Sequence, residues 1–261
     1  MLLAIDAGNT QTVLGLYADD SPSSEPAHHW RVSTVTGRTA DEHALMIGAL
    51  VEQAGKPFAE AVTGVAICSS VPAVNVAIRE LAQRHLDTEA VVVGPGVRSG
   101  MPILYENPRE VGPDRIADAV AAYDLFGGPT IVVDFGTATT FEVVTAKGEY
   151  LGGAICPGVE ISLDALFARA AGLRRVELTS PDRVVGRSTM ETIASGATYG
   201  FAAQVDGMCA RVEAEVGEKC TVVATGGLAA SIAPHSERIQ HHEPWLTLHG
   251  VRLVYLRNQA E

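Results

Sequence analysis

The 261 residues predict an α/β protein of two similar lobes, with a cleft between facing hairpin tips. Three observations support this. A stretch near the start, Leu2-Leu3-Ala4-Ile5-Asp6-Ala7-Gly8-Asn9-Thr10-Gln11-Thr12-Val13-Leu14-Gly15-Leu16, returns 128 positions later (134 − 6 at the shared Asp) as Thr130-Ile131-Val132-Val133-Asp134-Phe135-Gly136-Thr137-Ala138-Thr139-Thr140-Phe141-Glu142-Val143-Val144. Each copy is an apolar run, then Asp-x-Gly with hydroxyl or amide residues, then a second apolar run, which reads as strand, tight turn, strand. Behind each hairpin, β-branched runs alternate with segments of helical period, and the length suits two domains. We place them at 1–107 and 108–261.

After the first hairpin, the polar stretch through Pro22 and Pro26 is a surface loop, and a strand resumes at 30–34. Thr39, with Glu42 three residues on, has the form of a capping box and opens a helix to about 54 that turns Ala44, Leu45, Ile47 and Leu50 to the core. A strand at 62–68 turns at Ser69-Ser70, and Pro72 fits the first turn of a helix reaching His85. Val91-Val92-Val93 is a short strand. The glycine-rich run at 94–100 misses the Gly-x-Gly-x-x-Gly spacing and leads to Pro102, not to a helix, so it is a plain loop.

Pro108 marks the crossing into the second domain. Ile116, Val120 and Tyr123 give 114–126 a helical period, which Gly127-Gly128-Pro129 stops. Past the second hairpin, a strand at 150–155 turns through Cys156-Pro157-Gly158 into a helix carrying Ile161, Leu163, Leu166 and Phe167. The segment 174–188 is irregular, and Arg169, Arg174 and Arg175 read as a solvated face. A long helix at 189–216 has Gly196 and Gly200 one turn apart, a spacing that permits close helix packing. A strand at 221–224 ends in Thr225-Gly226-Gly227, a helix follows from Leu228, and the tail at 243–257 is apolar enough to dock.

Composition narrows the partners. Hydrophobic residues make up 47%, enough for a core, while a formal charge of −12 leaves no basic surplus for nucleic acid or an anionic membrane. Cys68, Cys156, Cys209 and Cys220 lie far apart and read as inert thiols of a reducing, cytoplasmic setting. The pairs His28-His29 and His241-His242 lack zinc-ligand spacing and read as solvated loops. Met1 runs straight into a strand that meets Asp6, so no signal peptide is expected. Ser69, Ser70, Pro72 and Asn75 break the uncharged stretch 61–78, which is therefore no membrane span.

The two turns have the chemistry of a phosphate site. Glycine lets backbone approach a ligand closely, and N–H groups with Asn or Thr side chains donate to phosphate oxygens. The Asp of each turn suits a hard cation or its water shell. Asp114, after Gly112-Pro113 and before a helix, reads equally as an N-cap or as a base.

Taken together, Asp6-Ala7-Gly8-Asn9-Thr10, Gly112-Pro113-Asp114-Arg115, Asp134-Phe135-Gly136-Thr137-Ala138-Thr139-Thr140, Gly152-Gly153-Ala154-Ile155-Cys156-Pro157-Gly158, Gly186-Arg187-Ser188-Thr189 and Thr225-Gly226-Gly227 resemble the type III pantothenate kinases of the acetate and sugar kinase and actin superfamily. The match runs in order along nearly the whole chain. The resemblance implies two ribonuclease-H-like domains related by duplication with an interdomain nucleotide cleft, ATP as donor with Mg2+, pantothenate as acceptor, a monovalent cation (K+ or NH4+) and a homodimer. It implies that Asp114 accepts the proton and that Asp134 lies at the monovalent-cation site. Asp6, Ala7, Gly8, Asn9, Thr10, Gln11, Thr12 and Val13 would contact ATP together with Thr137. Tyr105, Gly112, Pro113, Asp114, Arg115 and Thr189 match the pantothenate positions. Pro113 stands where the family pattern has Ala, a change that spares the Asp and Arg.

Residue chemistry leaves further alternatives. Arg115 suits a ligand carboxylate, an equatorial phosphate oxygen or a surface ion pair. Tyr105 offers an apolar wall with one polar tip, and Thr189 suits either a helix cap or a ligand. A hydrolase on the same scaffold, a sugar kinase and a nucleotide-binding regulator are the rival functions; sugar kinases resembling bacterial glucokinases carry a Cys/His cluster that this chain lacks.

Overall fold

A computed structural model describes residues 1–19, 22–170 and 180–259; Arg174 and Arg175 lie outside them. The chain runs β1 (Leu2–Ala7), β2 (Gln11–Tyr17), β3 (His28–Ser33), α1 (Ala40–Gln53), α2 (Phe58–Ala61), β4 (Gly64–Ser69), α3 (Pro72–His85), β5 (Ala90–Val92), α4 (Pro113–Phe126), β6 (Thr130–Phe135), β7 (Ala138–Val144), β8 (Tyr150–Pro157), α5 (Val159–Arg169), α6 (Thr189–Val216), β9 (Thr221–Thr225), α7 (Ala229–Ile232), β10 (His241–His242) and α8 (Leu246–Gln259).

Two compact units result, Met1–Asp124 with Trp245–Glu261, and Leu125–Pro244. The strand orders are β3-β2-β1-β4-β5 and β8-β7-β6-β9-β10. In each unit three strands run as an antiparallel meander and the next two lie parallel to the first. The two Asp residues sit at corresponding places in their sheets, although the second turn is one residue shorter. Asp6 pairs with Val13 and Cys68, and Asp134 pairs with Thr140 and Thr225. The duplicated hairpin therefore opens two sheets of one topology, as expected of ribonuclease-H-like domains.

The division differs from the expected boundary at 107/108. The first unit keeps α4, and the chain returns to it at Trp245, because α8 packs on β1, β2 and β4. There Leu246, Leu248, Val251 and Val254 are buried. Where α8 meets α4, a side chain at Gly250 would overlap the Ala117 carbonyl, so the helices touch backbone to backbone.

On the other face of the first sheet, Leu3, Ile5, Leu14, Leu16, Val65 and Ile67 pack with α1 and α3. The Thr39 capping box forms as expected, with Thr39 N donating to Glu42 Oε2 at 2.7 Å. In the second unit Ile131, Val133, Phe135, Phe141 and Val222 meet α5 and α6.

Some expectations at single residues did not hold. Leu45 is 76% exposed on the outer side of α1, and Ile161 and Leu166 face solvent on α5, a helix in which only Val159 is fully buried. His28 and His29 belong to β3, with His29 against Trp245, and His241 and His242 form β10. At Gly196 and Gly200 an added Cβ would meet nothing within 4 Å among the described residues, so no described element packs closely there.

His43 on α1 is 4% exposed, and its Nε2 has no hydrogen-bond partner among the described residues. Burial first, then the Arg38 charge, hold its pKa below the usual 6.5, with Glu42 opposing. The neutral ring thus contributes stability that is present above about pH 6.5 and lost as pH falls, because the unfolded chain then takes up a proton that the folded chain resists. Urea midpoints of the parent should drop between about pH 7 and pH 5.5, and drop less for His43→Leu. Equal slopes would remove His43 from the acid response.

Candidate active site

Strand alternation places the first carboxylate. Leu3, Ile5 and Ala7 point into the α1/α3 core, so Asp6 projects from the opposite face, alongside its register partner Cys68. Asp114, the second residue of α4, comes close enough for the two charges to interact. Burial, then the Asp114 charge, push the Asp6 carboxyl up from 3.8 to about 7, with Arg31 pulling the other way. Burial and the charges of Asp6, Asp114 and Asp118 likewise raise the Cys68 thiol. Asp118, one turn after Asp114 and 1% exposed, was missed in the sequence; its i+4 spacing from Asp114 was the available signal.

The cap reading of Asp114 is corrected. It lies inside the first turn, and its Oδ1 accepts from Arg115 N at 2.9 Å. The carboxylate is exposed, and Gly112 leaves room for it, since a Cβ there would overlap Oδ1. Pro113 opens the helix as its first residue, where a missing N–H costs nothing. Arg115 is buried, and its guanidinium carbon lies 6.0 Å from the centre of the Tyr105 ring, a cation–π distance. The structure thus brings together Asp6, Gly112, Pro113, Asp114, Arg115 and Tyr105.

At the first turn, Asn9, Thr10 and Gln11 are exposed, whereas Ala7 and Thr12 are buried. Gly8 N donates to Gln11 O at 3.0 Å, and the Gln11 amide oxygen accepts from Arg31 at 2.8 Å. Ala7 and Thr12 can therefore serve a ligand only through backbone or by backing the turn, and Val13 is half-buried. Ser69, on neighbouring β4, donates to Ala7 O at 2.8 Å and accepts from Val71 N at 3.0 Å, tying the ends of the two strands together. Ser69, Arg31 and Thr34 were absent from the sequence-derived site because strand pairing, not sequence distance, brings them to the turn.

In the second unit Asp134 occupies the place that Asp6 holds in the first. Gly226, at φ +91°, lets the backbone after β9 close on it, for a side chain would meet Asp134 and Phe135. Gly136 and Thr137 are exposed, and Gly158 packs against their carbonyls. Deeper on the Asp134 face, Glu142 is fully buried and accepts from Tyr150 at 2.5 Å. Thr189 is the exposed first residue of α6. The cap is Ser188, whose Oγ accepts from Glu191 N at 3.2 Å, so the capping alternative for Thr189 is corrected.

A family model described as type III pantothenate kinase matches residues 2–211. A type III pantothenate kinase of Streptomyces griseus subsp. griseus is 51% identical over 265 residues, covering 99% of this chain and 98% of its own length. That of Moorella thermoacetica is 51% identical over 258 residues, covering 99% and 100%. The chain belongs to the type III pantothenate kinase family. Among solved structures, an activator of the 2-hydroxyisocaproyl-CoA dehydratase from Clostridium difficile with bound ADPNP gives a TM-score of 0.58 at 12% identity, covering 98% of this chain and 94% of that one. An inorganic polyphosphate/ATP-glucomannokinase from Arthrobacter sp. strain KM gives 0.50 at 15% identity, with 98% of each covered. At those identities the likeness is one of fold, and it extends beyond the type III pantothenate kinases.

In this family member the raised Asp6 pKa has a consequence for stability. The folded chain holds a proton on Asp6 that the unfolded chain releases above about pH 3.8, so this group's contribution declines as pH rises toward 7. Asp6→Asn should therefore raise the melting temperature of the ligand-free protein at about pH 8 and flatten its pH dependence. Calorimetry at several pH values checks this, and a lower melting temperature for the variant would overturn it.

Proposed function

We propose that this protein is a type III pantothenate kinase, transferring the γ-phosphoryl group of ATP to the primary hydroxyl of pantothenate to give 4'-phosphopantothenate, the first step of coenzyme A synthesis. The observation that carries the reading is the exposed Asp114 carboxylate, held beside Asp6 in a chain about half identical to named pantothenate kinases along its whole length.

Phosphoryl transfer needs positioning and charge stabilisation more than covalent help from the protein. Asp114 is the proton acceptor, taking the hydroxyl proton as the oxygen attacks phosphorus. Asp6, at the end of β1, offers a hard oxygen donor that fits magnesium or its water shell, while Asp114 keeps its carboxylate for the hydroxyl proton. Magnesium in phosphoryl transfer takes most of its ligands from water and phosphate, so one carboxylate is enough to orient it. Held by Asp6 directly or through water, magnesium would supply positive charge to the triphosphate.

Asn9, Thr10 and Gln11 in the first unit and Thr137 in the second are the exposed donors assigned to ATP. Arg115, oriented on the Tyr105 ring, balances the pantothenate carboxylate, and Gly112, Pro113 and Thr189 complete the acceptor set. Asp134 serves a monovalent cation, potassium or ammonium. Among the described residues no helix is long and apolar enough to cross a membrane; the proposed setting is the cytoplasm. A homodimer is the proposed assembly. Its support is the face of α6 at Gly196 and Gly200, which no described residue covers, and the exposed Val184, Val185 and Met190 before and at the start of that helix.

Purified protein with ATP, magnesium and pantothenate should form phosphopantothenate by mass spectrometry, faster with potassium than with sodium. ATP hydrolysis independent of pantothenate would instead favour a hydrolase. Asp114→Asn should lower kcat by about 100-fold or more with the ATP KM little changed; unchanged turnover would remove the base role. Light scattering should give twice the chain mass, and a monomer would overturn the dimer.

A further inference from the structure

We infer that Thr34 is a positioning residue of the first phosphate turn, acting through the backbone of Gly8 and Thr10 to set which way that turn's N–H groups face. The inference rests on the kinase reading above and adds a residue from outside the hairpin. Thr34 follows β3 directly, and the register of β3 with β2 ends at the Gln11–Ser33 pair, so the chain arrives beside the turn. Three hydrogen bonds join it there. Its backbone N donates to Thr10 O at 3.0 Å, its hydroxyl donates to Gly8 O at 2.8 Å, and that hydroxyl lies 2.8 Å from the Thr12 hydroxyl.

The direction of this chain follows from proton counting. A carbonyl only accepts, so Thr34 must give its single hydroxyl proton to Gly8, and Thr12 must then be the donor to Thr34. Thr12 is 5% exposed and has no proton left for a phosphate oxygen. Within the segment 6–13 it therefore backs the turn.

A trans peptide is planar, with its C=O and N–H pointing in opposite directions, and the cis bond found among the described residues, Gly128-Pro129, is not in this turn. With the Gly8 carbonyl drawn toward Thr34, the Asn9 N–H in the same peptide faces away from it. The Thr10 carbonyl is held on that side too, so the Gln11 N–H also faces away. Asn9, Thr10 and Gln11 are exposed, which leaves two preset backbone donors at the open side of the turn, the arrangement that favours an anionic oxygen.

The duplication gives an internal comparison. Gly158 follows β8 as Thr34 follows β3, and Ala138 pairs with Pro157 as Gln11 pairs with Ser33. Gly158 presses its backbone on the Gly136 and Thr137 carbonyls of a shorter turn, in which Gly136 N donates to Ala138 O at 3.0 Å. One topological position thus backs both turns, by a hydroxyl in the first unit and by a missing side chain in the second.

Kinetics on the full chain test the inference. Thr34→Val keeps the shape and the backbone N–H and loses the hydroxyl; Thr34→Ser keeps the hydroxyl. The valine variant should raise the ATP KM about tenfold, about 1.4 kcal/mol, with the pantothenate KM within about twofold, and the serine variant should restore the ATP KM. An unchanged ATP KM in the valine variant, an equal rise in both KM values, or no rescue by serine would overturn it. Should the valine variant fail to fold, Thr12→Val removes the proton that orients Thr34 and should raise the ATP KM selectively; no rise would again overturn it. A parent that makes phosphopantothenate alongside an unaffected valine variant sinks this inference alone, whereas a parent that binds no nucleotide sinks the kinase reading with it.

Discussion

A strand has two faces, and β1 uses them for different purposes. Leu3, Ile5 and Ala7 enter the core with α1 and α3, which leaves Asp6 on the other face, under the influence of Asp114. Burial and a neighbouring like charge make the ionised Asp6 costly in the folded protein. The same hydrophobic alternation that anchors the strand therefore holds the acid in an unfavourable place, where a cation would relieve it. β6 repeats the pattern, with Ile131, Val133 and Phe135 inward and Asp134 outward.

Holding such groups in place needs support from elsewhere in the chain. Ser69 on β4 and Thr34 after β3 bond to carbonyls of the first turn, while Gly158 and Gly226 let backbone close on the second. The two units solve one problem by different means, hydroxyls in one and glycines in the other. The far end of the chain contributes as well: α8 lies on the first sheet and meets α4 at Gly250, so the helix bearing Asp114 is seated partly by residues more than a hundred positions later. Buried polar junctions such as Glu142 with Tyr150 lie on the Asp134 face, where a fully buried carboxylate requires a hydrogen-bond donor.

Several helical faces turned out to be wider or narrower than periodicity implied. Leu45 satisfies a helical period and still faces solvent because one sheet can cover only one side of α1, and Ile161 and Leu166 are exposed on α5, where only Val159 is fully buried. Asp114 has the composition of a cap, yet Pro113 already occupies the first helical position, which places the Asp inside the turn and leaves its carboxylate exposed. Ser188 rather than Thr189 caps α6, since its oxygen reaches the N–H three residues on. In each case the local rule was sound, and a neighbouring residue decided which position it applied to.

Read alone, the sequence carries the duplication, the two Asp-x-Gly hairpins, the α/β class, the capping box at Thr39 and the kinase resemblance, because these rest on residues adjacent in the chain and on short-range periodicity. It also marked Asp6, Asp114 and Asp134 as the acids to watch. Only in the folded chain does the Asp114 charge reach Asp6, do α4 and α8 join the first unit, and do Thr34, Ser69 and Arg31 reach the first turn. Those are consequences of strand register and helix docking, which join residues far apart in sequence and leave no periodic trace in it.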